Sequence, residues 1–190
     1  HNLMEKAYDF FAEEFNASEI IRLLKLVDEG KPSIIFILKK LNANYGYREQ
    51  VDAISIKNKT VEIQFNINNM FNEIRRLKLK DKEYDFSDEI NNCEYEHKAF
   101  LNSLREPLQK LKNSIYGLYR VINKNLEDIV GDNKDKSSEY NFINNYIAKL
   151  KGVYDTVDKF LSIDRENARI ININNEYANF ILRNVPLSVG

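Results

Sequence analysis

The sequence predicts a mainly α protein, an elongated bundle of long antiparallel helices carrying a short C-terminal β-hairpin. Three observations predict it. Leu101, Leu104, Leu108, Leu111, Ile115, Leu118, Ile122, Leu126 and Ile129 recur in steps of three and four, which holds one narrow apolar stripe on a single helix face over residues 98–131. Tyr140, Ile143, Ile147, Leu150, Tyr154, Val157 and Leu161 repeat that rhythm after the polar turn Gly131-Asp132-Asn133-Lys134-Asp135-Lys136. Near the C-terminus, Ala168-Arg169-Ile170-Ile171-Asn172-Ile173, then Asn174-Asn175-Glu176, then residues 177–185 read as two strands and their turn. At roughly 1.5 Å per residue the first helix is about 50 Å long, a rod that needs a partner rod. Burying each Leu or Ile fully is worth roughly 1.5–3 kcal/mol, so the two series predict an antiparallel helical hairpin.

The remaining elements follow in order. Residues 2–15 carry Leu3, Met4, Ala7, Tyr8, Phe11 and Phe15 partly at helical spacing, but Tyr8-Asp9-Phe10-Phe11 fits an extended chain equally well. Asn16-Ala17-Ser18-Glu19 offers an N-cap for a helix running to Gly30, with Ile20, Ile21, Leu23, Leu24 and Val27 along one side and Gly30 as its C-terminal cap. Lys31-Pro32 starts the next helix, buried through Ile34, Ile35, Ile37, Leu38 and Leu41, and Asn42-Ala43-Asn44-Tyr45-Gly46 ends it.

In residues 47–80, Ile63, Ile67, Met70, Ile74 and Leu77 lie at heptad spacing, with Val51, Ile54, Val61 and Phe65 on an adjacent stripe. That pattern predicts a long helix whose apolar face is wide enough for two neighbours. Residues 61–67 also alternate with period two, as a half-buried strand would; the absence of Gly or Pro favours the helix. Residues 81–93 read as a polar loop, with Tyr84 and Phe86 as pins. Pro107 interrupts the long apolar series, and an interior proline costs roughly 3 kcal/mol. Together with Ser103-Leu104-Arg105-Glu106, which has the form of a capping box, it predicts a kink or break there. The terminal hairpin is marginal alone and must lie on the bundle or on a sheet supplied from elsewhere.

Composition excludes several function classes. With 28 basic and 29 acidic residues the net charge is −1, so strong nucleic-acid binding by the whole surface has no electrostatic basis and must come from a local patch. No apolar run approaches the roughly 18 residues of a membrane helix, nor does any stretch resemble a signal peptide. Cys93 is alone, so this chain by itself builds no disulfide framework, zinc site or cluster site. These features predict a cytoplasmic setting, and the richness in Asn, Ile and Lys without Trp suggests an AT-rich, bacterial genome.

Catalytic signals are poor. There is no Gly-rich phosphate loop. The two histidines are His1 and His97, and His97 between Glu96 and Lys98 reads as exposed. Glu13-Glu14 and Asp88-Glu89 read as solvated faces rather than a metal cage, and Cys93 has no adjacent basic residue to lower its pKa. The best functional patch is Arg75, Arg76, Lys78, Lys80 and Lys82, near Phe71 and Tyr84. Basic residues mixed with aromatics suit a single strand, because charge tracks phosphates and rings stack on bases. Cations in a last helical turn also complement the helix dipole, a purely structural explanation for the same residues. A second basic set, Arg105, Lys110, Lys112, Arg120 and Lys124, reads as the wet face of the long helix.

The two ends together carry a resemblance. His1-Asn2-Leu3 looks like the tail of a DEAH box, and Asn184-Val185-Pro186-Leu187-Ser188-Val189 resembles the return into the motor domain of DinG/XPD-like superfamily 2 helicases. In that family a large, mainly helical insert, the Arch domain, separates the DEAH box from the next motor motif. About ten residues carry the likeness by motif; length and helical content extend it to the whole segment. The resemblance implies residues 1–15 returning from a motor domain, residues 16–163 as a helical Arch-like bundle, and residues 164–190 as a β-hairpin leading back. It further implies an ATP-driven DNA helicase, typically moving 5′ to 3′, whose Arch helps enclose the translocating single strand. ATP and Mg2+ would belong to the parent and no cofactor to this segment. The family's iron–sulfur cysteines lie upstream, so Cys93 bears on no cluster. His1 matches the last residue of the box, which couples hydrolysis to DNA engagement only in the full-length parent. The expected partners are single-stranded DNA, held weakly by the isolated monomer, and the motor domains of the same chain. The alternative is a stand-alone coiled-coil interaction module without catalysis, since intramolecular and intermolecular heptads look alike.

Overall fold

A computed structural model describes residues 13–46, 49–85, 95–133, 137–162 and 166–186, with the backbone alone at 13 and 95–100. The elements in order are β1 (Glu13–Asn16), α1 (Ala17–Lys25), α2 (Ile34–Tyr45), α3 (Ala53–Arg76), β2 (Glu83–Asp85), α4 (Tyr95–Val130), α5 (Ser138–Leu161), β3 (Asn167–Asn174) and β4 (Asn179–Pro186). The protein is mainly helical with a small antiparallel sheet, and α4 is the central rod.

The apolar stripe of α4 is buried from Leu101 to Ile129. On one flank α3 runs antiparallel to it: the Asp52 amide donates to Asn125 Oδ1 at 3.2 Å at one end, and Asn66 Nδ2 donates to Ser114 Oγ at 3.0 Å further along. On the other flank α5 also runs antiparallel, with Lys112 Nζ 3.0 Å from Asp158 Oδ1 and Tyr116 against Tyr154. Ser137 caps α5 by accepting the Tyr140 amide at 3.1 Å. The short α2 closes one end of the bundle on α4 and α5, and Lys40 pairs with Glu139 at 2.8 Å.

The C-terminal hairpin is the centre of a four-stranded sheet ordered β1-β4-β3-β2, every neighbour antiparallel. One row crosses all four strands, Phe15–Leu182–Ile171–Tyr84, and every member is buried. In the neighbouring row Phe180 stacks on Phe15 at 5.6 Å and meets Phe71 of α3 edge-on at 5.2 Å. The next row is polar and equally buried. Arg169 Nη1 donates to the carbonyls of Phe160 (3.1 Å) and Ser162 (3.3 Å), and Asn184 Nδ2 donates to Thr156 O at 2.9 Å. The sheet thus holds the end of α5: Arg169 serves the Phe160 carbonyl that the helix C-terminus leaves open, and Asn184 adds a bond to the Thr156 carbonyl further back.

Several expectations need correction. The loop expected over 81–93 contains β2, because Tyr84 completes the apolar row; Phe86 and Cys93 lie outside the described residues. The sheet needed by the hairpin is supplied by the chain's own β1 and β2, and Phe15 belongs to a strand. Gly30 does not cap α1, which stops at Lys25. The carbonyls of Leu26 and Val27 accept the amides of Ile34 and Ile35 at 2.9 and 3.0 Å, so Gly30 sits in the reversal between the two helices rather than at a helix end. Accordingly α2 starts after Ser33, whose Oγ caps Phe36, rather than at Lys31-Pro32. No break occurs at Pro107: α4 is one helix of 36 residues. The Leu stripe is buried on both sides of the proline, and several leucines at roughly 1.5–3 kcal/mol each outweigh one proline at roughly 3. Residues 61–67 are helical, and their alternation is split, Ile63 and Ile67 inside, Val61 and Phe65 outside.

Candidate nucleic-acid interface

The predicted patch begins in the last turn of α3. Leu79 N–H donates to Ile74 O (3.2 Å) and Lys78 N–H to Arg75 O (3.0 Å), the paired bonds of a Schellman end. Lys78 occupies its left-handed position at φ 53°, where glycine is the usual residue. The exposed Arg75 donates to Asn72 Oδ1 at 2.6 Å. Arg76 forks onto Glu73, with bonds of 2.8–3.1 Å. That fork holds the Glu73 carboxyl below its ordinary pKa and raises the guanidinium's.

The five cations have different surroundings. Arg75 and Lys78 line a cleft of about 340 Å³ between the end of α3 and the β3–β4 turn. Arg76 is occupied by Glu73. Lys82 Nζ sits 4.7 Å over the Tyr84 ring, and the Lys80 amide donates to the Tyr84 hydroxyl at 3.0 Å. The turn is tied to this segment by Asn175, which bonds Leu79 O at 2.9 Å and Asp81 Oδ1 at 2.7 and 2.8 Å.

The two expected rings part company. Tyr84 is only 6% exposed, drawn inward because the sheet needs its area. Phe71 meets Phe180 edge-on but stays half-buried and lines the cleft beside Arg75 and Lys78. His1 lies outside the described residues. In the second basic set, Lys110 and Lys124 make i,i+4 pairs with Glu106 (3.1 Å) and Asp128 (3.6 Å), and Lys112 is half-buried beside Asp158. Arg120 differs: it lies 5.9 Å over the Tyr116 ring and has no ion-pair partner among the described residues. The sequence signal for this second place was Tyr116-x-x-Tyr119-Arg120, one turn of a helix; Tyr154 and Lys151 join it only through the fold.

Among the described residues no group of three or more His, Cys, Asp or Glu is placed to hold a metal ion, and no helix is long and apolar enough to cross a membrane. Comparison with protein-family models, curated proteins and solved structures gave no match to this chain.

Proposed function

We propose that this chain is the Arch-like insert of an ATP-driven DNA helicase of the DinG/XPD-like kind and helps enclose the single strand beside the motor. The observation that carries the reading is the pairing of the two ends of the described chain. Glu13 faces Asn184 and Asn16 faces Ile181 in antiparallel register. The chain therefore arrives along β1 and departs along β4 at the same end of the sheet, a geometry compatible with insertion into another domain. The long helical hairpin extends from that base. Hydrolysis is assigned to motor parts outside this sequence, which carries no phosphate loop. Within the chain, Arg75 and Lys78 in their cleft are the phosphate-binding groups.

Two measurements test this. Upstream of His1 the gene is expected to encode Asp-Glu-Ala, and further upstream a Walker A loop. The purified chain is expected to bind single-stranded DNA weakly and with strong salt dependence. Replacing Arg75, Arg76 and Lys78 together by Gln is expected to flatten the salt slope by about 0.7 for each phosphate no longer neutralised. An unchanged slope sinks the patch; a gene without a motor sinks the insert.

One observation favours the alternative, a protein-interaction module. Ile54, Val61 and Phe65 lie on the outer face of α3 and are 76%, 68% and 62% exposed. Sedimentation tests the self-associating form of this alternative: the insert is expected to be a monomer, whereas a module that pairs through this stripe sediments as a dimer.

A further inference from the structure

We infer that Tyr116, Tyr119 and Tyr154 form a second nucleic-acid site, a stacking platform for the bases of a single strand, with Arg120 as its phosphate-binding group. The inference rests on the clamp reading only for the class of ligand; the site is separate from the cleft of Arg75 and Lys78.

The platform lies where α4 meets α5. Tyr116 has two ring neighbours, Tyr119 at 5.7 Å with the planes 24° apart and Tyr154 at 4.8 Å with the planes 35° apart. Tyr116 keeps 36% of its surface exposed, and the other two rings are half-buried. On either side of this stretch the helices are closed by buried side chains such as Leu111, Leu118, Leu150 and Val157, whereas Tyr116 stays at the solvent edge. Three cations rim the rings. Lys151 lies 5.1 Å and Lys112 5.9 Å from the centre of Tyr154, and Arg120 lies 5.9 Å from that of Tyr116.

Charge separates their roles. Lys151 is bound to Asp155 at 2.7 Å and Lys112 to Asp158 at 3.0 Å, so both are neutralised in place. Arg120 keeps its charge for an incoming anion. Rings that accept any base face beside a cation that follows the backbone are the two parts of sequence-tolerant single-strand binding. A duplex hides its base faces and does not fit. From the antiparallel pairing of α3 and α4, the level of Arg75 falls about 20 Å along α4 from Tyr116 at roughly 1.5 Å per residue.

The chain contains no Trp and eleven Tyr, so stacking on the platform is read as the part of the tyrosine quenching that Tyr116→Leu removes. The test titrates the full chain with oligo(dT), reading tyrosine quenching and the anisotropy of a labelled strand. Tyr116→Ala is expected to weaken binding about tenfold or more, Tyr116→Phe to leave it within about twofold, and Arg120→Gln to lower the salt slope by about 0.7. Tyr116→Leu, which keeps bulk at this position, is expected to retain the thermal midpoint while binding as poorly as the Ala variant. Wild-type affinity in Tyr116→Ala overturns the platform, as does equal affinity for a duplex of the same length. If the Arg75/Arg76/Lys78 variant loses binding while Tyr116→Ala does not, the platform falls and the clamp reading stands. If the wild-type chain binds no oligonucleotide, the platform and the DNA-holding role both fall.

Discussion

Lys78 is the residue at which stability and surface charge are most directly opposed. A side chain in the left-handed region costs roughly 1–2 kcal/mol relative to the ordinary helical well, and the Schellman end requires that conformation. Glycine would relieve it, yet a lysine projects there beside Arg75 at the mouth of a cleft. Strain held at a charged rim is the pattern expected where a side chain has work to do. Lys78→Gly is therefore expected to stabilise the chain by about 1 kcal/mol, or about 2–4 °C in thermal midpoint, while weakening oligonucleotide binding. Calorimetry and anisotropy on the same preparation check both halves; a variant that is more stable and binds as before removes Lys78 from the interface. The Arg169–Asn184 row works in the opposite sense. Its buried donors serve carbonyls at the end of α5, so these polar residues join sheet to bundle rather than face a ligand.

At the level of elements, α4 shows how periodicity overrides a local breaker. Its proline has no N–H for Ser103 O and crowds that carbonyl, but the buried leucines on either side keep the rod intact. Pro107→Ala is expected to raise stability by about 1–3 kcal/mol, seen as a higher urea midpoint at unchanged slope. A destabilised variant would mean that the ring's packing at this half-buried position matters more than the missing hydrogen bond. The same principle governs α3. Residues 61–67 satisfy both periods, and only the neighbours decide. Once Ile63, Ile67, Met70 and Ile74 meet α4, the helix is fixed and Val61 and Phe65 are left outside. For β2 the local signal is too short to read. Three residues around Tyr84 form a strand because β3 offers an edge and the apolar row needs a fourth member.

For the whole molecule, the important fact is that residues 13 and 184 are cross-strand partners. A chain whose described segment begins and finishes at one end of the sheet can be joined there and opened elsewhere. A circular permutant linking the ends with a Gly/Ser linker and opening at Asp132, an exposed position in the α4–α5 turn, is expected to keep the helical circular-dichroism signal and a single cooperative unfolding transition. Loss of cooperativity would show that continuity from α4 into α5 holds the bundle together, and would weaken the view of the hairpin as an appendage rooted in the sheet. The candidate site is only half legible in the sequence. Arg75, Arg76, Lys78, Lys80 and Lys82 are local in the chain and easy to group, but Glu73 and Tyr84 divide them. Tyr116 and Tyr154 are 38 residues apart in the numbering and become one surface only because α4 and α5 run antiparallel.

The sequence by itself determined the long helices, their pairing through the α4–α5 turn and the terminal β-hairpin, because a side-chain period of three to four, or of two, is written into neighbouring residues and needs no partner to be recognised. Only the tertiary structure decided that β1 and β2 complete the sheet, that Tyr84 turns inward, and that rings from two helices meet. Those outcomes depend on which faces remain uncovered after the rods have met. Burial of apolar area is a property of the assembled surfaces and belongs to no single segment.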